Sequence, residues 1–424
     1  MKKLYYVVIG LFAFAFIAYL FIKKEPLPTY NVDRYYIEGK ENEILAKFLL
    51  AKDSSVIELD EGHFLLGQSL ILDGVNNVTI RGKGIHKTVL SFKGQNKGAE
   101  GIRISNAQNI TLENLTVEDA KGDNIKVMDT KGIIIRNVQS SWVGKVSEKN
   151  GAYAFYPVLC ENVTIDGCIS IGASDAGIYV GQSQEVTISN NTVFYNVAGI
   201  ESENSTNVKI FGNEVYENTG GILVFDLPGL TRYGKNIEVF NNKIYNNNIK
   251  NYAPEGSIVG QTPSGTGALV LATENVHFHD NVFTNNKTTS IALSSYLLIY
   301  EMGKRDAEEE KSPDELGNGV ASADKLNDEF LKDKKYNPYN RKIKIGVNSY
   351  SNSRWFPTLN NDFGKLLLFK KPFQTIDILW DGVVSPNTDY TICIDNTKDI
   401  NFYNADLLND FKNATTNESL YKCR

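Results

Sequence analysis

Glu201 and Glu203, two residues apart in "GIESENS", have the spacing that most directly suggests chemistry. On an extended strand, residues i and i+2 leave the same face about 6.5–7 Å apart. At that separation one carboxyl can donate a proton while the other accepts one. Asp175 is a lone acid among small residues in "GASDAGIYVGQS", residues 172–183. Arg103 and Lys126 are cations able to hold a carboxylate. Tyr156 and Tyr179 offer flat rings and hydroxyls, and Asp226 opens the polar stretch "DLPGLTRYGK". His277-Phe278-His279-Asp280 puts two imidazoles on one strand face, which could share a metal. The sequence shows neither a third ligand nor a cleft there, so the pair reads as an exposed strand and no metal is assigned. Whether any of these groups meet depends on the elements that carry them.

Those elements come from a repeat. "NVTI" at Asn77 recurs as "NITL" at Asn109, "GIII" at Gly132, "NVTI" at Asn162, "EVTI" at Glu185, "NVKI" at Asn207, "NIEV" at Asn236 and "NVHF" at Asn275. The shortest spacing, 22–23 residues, is the unit, and longer spacings contain insertions. Each segment alternates with period two and therefore reads as a strand. A second strand ends eight residues upstream ("GIRI", "NIKV", "GIYV", "GIES", "GILV"), and a third lies downstream ("LTV", "TVF", "EVY", "KIY"). Three short strands per repeat, with no helical pattern between them, predict an all-β parallel β-helix of three sheets and about nine to ten coils. Asn191, Asn213, Asn242 and Asn281 fall in one column of this repeat, and Asn196, Asn218, Asn247 and Asn286 in another. Buried amides are costly unless hydrogen-bonded. Stacked coils about 4.8 Å apart satisfy them by donating each amide to the next. Cys168 shares the first column and is expected to be a free core thiol; Cys160 is expected to be free as well.

With "GAEGIRIS" (98–105), "KGDNIKV" (121–127), "NGAYAFYPV" (150–158), "GASDAGIYVGQS", "VAGIESENS" (197–205) and "NTGGILVFDLPG" (218–229) in register, the chain resembles the right-handed parallel β-helix, pectate-lyase-like superfamily. More closely, it resembles bacterial envelope β-helix repeat proteins. The resemblance covers residues 45–300, with a weaker echo, "ILWDG", at 378–382. It implies that "VTIS" lies in the second sheet and "GIYV" in the first, the sheet that carries the substrate groove in those enzymes. It names no reaction.

Alternation along the first sheet then predicts an outward column Arg103, Lys126, Tyr156, Tyr179, Glu201, Leu223. The next outward column is Ser105, Met128, Val158, Gly181, Glu203, Phe225. Insertions around 143–152 and 248–265 enter the first sheet, and 226–235 leaves it, so an elongated cleft is expected between loop walls. Three functions fit. One is β-elimination or epimerisation of a uronate-containing glycan, with Arg103 neutralising the sugar carboxylate and Lys126 or Tyr179 as base. Another is glycoside hydrolysis by paired carboxylates, and the third is a non-catalytic module binding glycan or a partner protein. Tyr156, Glu203 and Asp226 join Arg103 as candidate substrate contacts; Tyr179, Lys126, Asp175 and Glu201 are the candidate catalytic groups. Asp175 could equally be a turn-capping acid. Gly177, recurring as Gly199, Gly221 and Gly267, reads as structural. No cofactor is implied, and no motif supports Ca2+.

Bulk properties set outer limits. The chain has 424 residues, 42% hydrophobic, with a net charge of −6 and no basic block, which argues against nucleic acid. Met1-Lys2-Lys3 precedes the apolar run 5–22, about 27 Å long as a helix and close to a bilayer core. Residues 1–30 are therefore expected to be a signal-anchor or signal peptide. That places the rest outside the cytoplasm in the cell envelope, anchored in the membrane or secreted. The β-helix is expected over 45–353, with a polar insertion at about 301–342, and 354–424 is expected to cap it. Cys393 and Cys423 lie in that cap and could pair in an oxidising compartment.

Overall fold

The computed structural model describes residues 26–309, 323–352, 356–371, 374–395 and 400–423. The apolar run 5–22 lies outside them. Among the described residues, no helix is long and apolar enough to cross a membrane.

The 22-residue unit folds as expected into three short strands per coil, each pairing in parallel with its counterpart in the next coil. In one unit these are Ala176–Gly181, Gln184–Ser189 and Thr192–Phe194. Their partners one coil later are Ala198–Glu203, Thr206–Phe211 and Glu214–Tyr216. The inward residues of the three sheets form one continuous core along the axis. Ile178, Ile200 and Ile222 from the first sheet meet Ile188, Ile210 and Val239 from the second, and Val193, Val215 and Ile244 from the third. Each such side chain contributes about 1.5–3 kcal/mol on burial. Ser202 takes an inward position with its hydroxyl unpartnered.

Both asparagine columns are ladders. Asn191 Nδ2 donates to Asn213 Oδ1, Asn213 to Asn242, Asn242 to Asn281 and Asn281 to Asn348, each at 2.9 Å. In the second column Asn196, Asn218 and Asn247 each donate to the next, at 2.9–3.1 Å. The recurring glycine answers to this second ladder. A Cβ at Gly177 would stand 2.7 Å from Asn196 Nδ2 and 2.8 Å from the Gly199 carbonyl, so nothing larger fits. A further ladder, exposed, runs through the first asparagine of the repeat. Asn207, Asn236 and Asn275 are left-handed (φ 58°, 60° and 54°), and Asn275 and Asn236 each donate to the asparagine one coil earlier. Asparagine tolerates that conformation better than most residues, which explains why it opens so many repeats. In the early coils, where Leu115 and Val138 replace the inner asparagine, single long strands Gln108–Glu118 and Lys131–Ser141 run through two sheets without a break.

The stack exceeds its expected length. The first sheet has eleven strands, from Gln68–Asp73 to Phe402–Asn404, not nine or ten. The region expected only to cap the helix supplies Ile378–Trp380, Ile392–Ile394 and Phe402–Asn404, paired onto the preceding coils. Irregular segments before these strands, the first of them holding helix Asp362–Lys370, break the repeat spacing and hide them. Cys393 and Cys423 form a disulfide there, while Cys160 and Cys168 are buried and free. The opposite end is closed by helix Glu41–Leu49, whose Ile44 and Phe48 plug the core.

Candidate functional site

Strand register puts Arg103, Lys126, Tyr156, Tyr179, Glu201 and Leu223 side by side on the first sheet, in the predicted order. Glu203 follows in the adjoining column, beside Gly181 and Phe225. The insertions leave the sheet where expected: 143–152 and 248–265 precede first-sheet strands, and 226–235 follows one.

The cleft itself is not the open trough anticipated. Val146 from the first insertion, Tyr252, Ile258 and Val259 from the second, and Leu227 from the third converge over Tyr179, Leu223 and Phe225 in a second hydrophobic cluster. Tyr296 and Tyr336, flanking the helices Tyr296–Glu309 and Ala323–Lys332, complete it. Loops rich in tyrosine and aliphatic residues cannot stand as walls in water; they fold onto the sheet they border. Tyr252 fastens this cover, its hydroxyl lying 2.8 Å from the Ala173 carbonyl and 2.6 Å from that of Tyr195. The early end stays open: Ile71 and Arg103 are exposed, and Lys126 and Tyr156 are half-buried.

Beneath the cover lies a group of acids. Asp175, Glu201 and Glu203 are 3%, 2% and 8% exposed. The Tyr153 hydroxyl donates to Asp175 Oδ2 at 3.2 Å and that of Tyr179 to Glu203 Oε1 at 2.8 Å. Glu201 Oε2 has no partner. The rings of Tyr153, Tyr156 and Tyr179 pack together with centroids 4.4–5.0 Å apart. Burial, reinforced by the neighbouring acids, raises Asp175 to about 8 and drives Glu201 well above the carboxylate range. Burial raises Glu203 to about 7, with the Tyr179 hydrogen bond opposing it. No cation offsets any of these shifts.

These facts describe the surroundings of each candidate. The Asp175 carboxylate accepts the Tyr153 hydroxyl. Tyr179 donates its hydroxyl to Glu203, and burial, with Glu203 beside it, raises that hydroxyl well above its usual range. Lys126 is engaged by Asp123 at 3.5 Å and Glu100 at 3.7 Å, and lies 4.9 Å above the Tyr156 ring. Asp226 is a loop-closing acid. Its Oδ1 accepts the Gly234 amide at 2.8 Å across the 226–235 insertion, and its other oxygen is unpartnered. Tyr153 belongs to the site although its position was not singled out; it opens its strand three residues before Tyr156 and packs in the cover cluster, while Ala154 and Phe155 face the core.

The fold and this first-sheet face define a coil-stacked β-helix protein. The chain belongs to the family described as "Right handed beta helix region", whose model matches residues 63–231 and 148–297, together more than half of the chain. Comparison with curated protein sequences gives no match. Among solved structures, the chain is similar to the A-module of Azotobacter vinelandii mannuronan C-5 epimerase AlgE6. The TM-score is 0.53 at 14% identity, covering 84% of this chain and 87% of that one. The AlgE4 A-module of the same organism gives 0.47 at 15% identity, covering 87% and 92%. A pectate lyase, Pel9A, gives 0.39 at 12%, covering 59% and 70%. At 14% identity the AlgE6 likeness shows the shared fold alone.

Proposed function

We propose that the protein processes a polysaccharide outside the cytoplasm, transferring protons at the Asp175–Glu201–Glu203 cluster to hydrolyse a glycosidic bond. The observation that carries this reading is three buried carboxylates held together with no cation among them and one oxygen left unpartnered. Such a group does not help the fold; unpaired buried acids cost several kcal/mol, and clusters of this kind mark functional sites. Glu201 is shifted further than Glu203, so one acid can hold a proton while its neighbour accepts one. The i, i+2 spacing suits a pair with room for a water.

Hydrolysis is favoured over elimination. Elimination must neutralise a sugar carboxylate next to the base, yet Lys126 is committed to Glu100 and Asp123. An acidic sugar fits further along, at the open end near Arg103, with Tyr156 beside it to stack on a ring. The related fold in an enzyme named for mannuronan is compatible with a polymer lying along this sheet, but the side chains carry the argument. The extracytoplasmic placement rests on the Lys-flanked apolar run near the N-terminus and is supported by the Cys393–Cys423 disulfide.

The test is incubation of the purified full chain with neutral and acidic polysaccharides. New reducing ends without the absorbance of an unsaturated uronate, lost in Glu201→Gln and Glu203→Gln, would support hydrolysis. Unsaturated products would replace it with elimination. Neither product from any polymer would leave a non-catalytic binding module.

A further inference from the structure

We propose that Glu238, His277 and His279 form a binding site for a divalent transition-metal ion such as Zn2+ on the outer face of the second sheet. Strand Glu274–His279 buries Val276 and Phe278 in the core, which turns His277 and His279 outward together. The preceding strand, Lys235–Phe240, pairs Glu238 with His277 and Phe240 with His279. One ligand atom from each of Glu238, His277 and His279 lies within 4.8 Å of the others. This is the third ligand that the sequence hid, because it lies one coil earlier, 39 residues before His277.

The surroundings prepare the trio. Asp280 Oδ2 lies 2.7 Å from His279 Nδ1, and Glu238 Oε1 lies 3.1 Å from His279 Nε2. A carboxylate on Nδ1 holds a proton there, so a metal that takes the place of the Nε2 proton is bound by the Nε2 lone pair, with Glu238 already beside it. This is the usual outer support of a metal-bound histidine. The Phe240 ring stacks on His279 at 5.1 Å and 4°, fixing the imidazole plane, and Phe211 stacks on Phe240 in turn. On the other side, Gly346 leaves the histidines uncovered; a Cβ there would stand 3.0 Å from His277 Nε2. Lys344, opposite His277, is drawn to Asp395 at 3.7 Å.

Two imidazoles and one carboxylate are a ligand set that Zn2+ accepts, and three protein ligands leave a fourth position open. Two of the three ligands, Glu238 and His277, also line a trough of about 570 Å³ along the second sheet, with Lys209 and Thr187 among others. A tetrahedral ion with bonds of about 2.0–2.1 Å holds its ligands about 3.4 Å apart. The trio therefore closes on the ion by small rotations, which half-buried side chains on an outer face can make.

The experiment uses the full chain without a polyhistidine tag, dialysed against ZnSO4 and assayed for bound metal, with Co2+ absorption as a second readout. One Zn2+ per chain is expected, with the visible bands of a low-coordinate Co2+ site. His277→Ala, His279→Ala and Glu238→Gln should each weaken binding at least about 10-fold. Asp280→Asn, which spares the ligands, should weaken it about 10–100-fold. The double variant of the remaining histidines, His63→Ala with His86→Ala, should bind as the parent does. Absence of stoichiometric zinc, or zinc retained by the His277→Ala, His279→Ala double variant, would overturn the proposal. So would loss of zinc on changing His63 and His86.

Discussion

Glu201 presents an unpartnered carboxylate oxygen to a space shared with two other acids, and the consequence is a pH-dependent fold. For a carboxyl whose folded pKa exceeds its unfolded value near 4, the folded state binds the extra proton. Its stabilising contribution is complete below the unfolded pKa and is lost as pH rises through the folded one. With Glu203 at about 7 and Asp175 at about 8, the thermal midpoint should fall as pH climbs from about 4 to 8. Glu201→Gln should raise the midpoint at pH 8 and flatten that fall; an unchanged profile would place these acids in solvent. Asn213 tests burial of the opposite kind. It accepts from Asn191 and donates to Asn242 and to the Ile188 carbonyl. Asn213→Leu should cost about 1–3 kcal/mol, read by chemical denaturation, because it strands buried amides on both sides.

At the scale of elements, the strands and the way across them were legible in the sequence, and the cover was not. Period-two alternation and a 22-residue repeat are local signals, enough to align Arg103 with Glu201 across five strands. How a loop folds back depends on contacts without periodicity. Tyr252 meets Ala173 and Tyr195 across 79 and 57 residues. The helices Tyr296–Glu309 and Ala323–Lys332 lie in or beside a stretch whose charge reads as loop with short helix, and charge does not reveal that Tyr296 and the neighbouring Tyr336 close the cluster. The three-ligand cluster was hidden for the same reason, since His277 and His279 are two residues apart and Glu238 lies 39 residues before His277. If the cover controls entry to the acids, Tyr252 is its clasp. Tyr252→Phe keeps the ring and removes the hydroxyl that holds the Ala173 and Tyr195 carbonyls. Amide exchange and limited proteolysis within 248–265 should then speed up while the ladder coils stay protected. Equal protection in the two proteins would show that packing alone holds the loop.

For the whole molecule, stacked coils make stability a matter of neighbours: each coil is held by the one before and after, and the ends decide whether unravelling begins. The two ends are closed by different means. At the start, Ile44 and Phe48 plug the core, and Arg34 forms a buried ion pair with Glu118 at 3.1 Å. At the finish, the last strands are only three residues each and the inner ladder has ended at Asn348, so the final coils lack the amide bonds that tie their predecessors. The Cys393–Cys423 link, 30 residues apart in sequence, compensates by joining strand Ile392–Ile394 to the C-terminal segment. A loop of that length loses about 3–4 kcal/mol of chain entropy advantage on reduction. Because coupling is between neighbours, the loss should not spread evenly. Cys393→Ser with Cys423→Ser is expected to raise amide exchange in 400–423 and in Ile378–Trp380 first, leaving the coils around Asn213 and the carboxylate cluster protected. Cys160 and Cys168, both raised by burial to about 11 and about 12, should stay unreactive towards thiol reagents throughout. A uniform loss of protection along the whole stack would mean that the coils unfold as one unit, and the end would then have no special role.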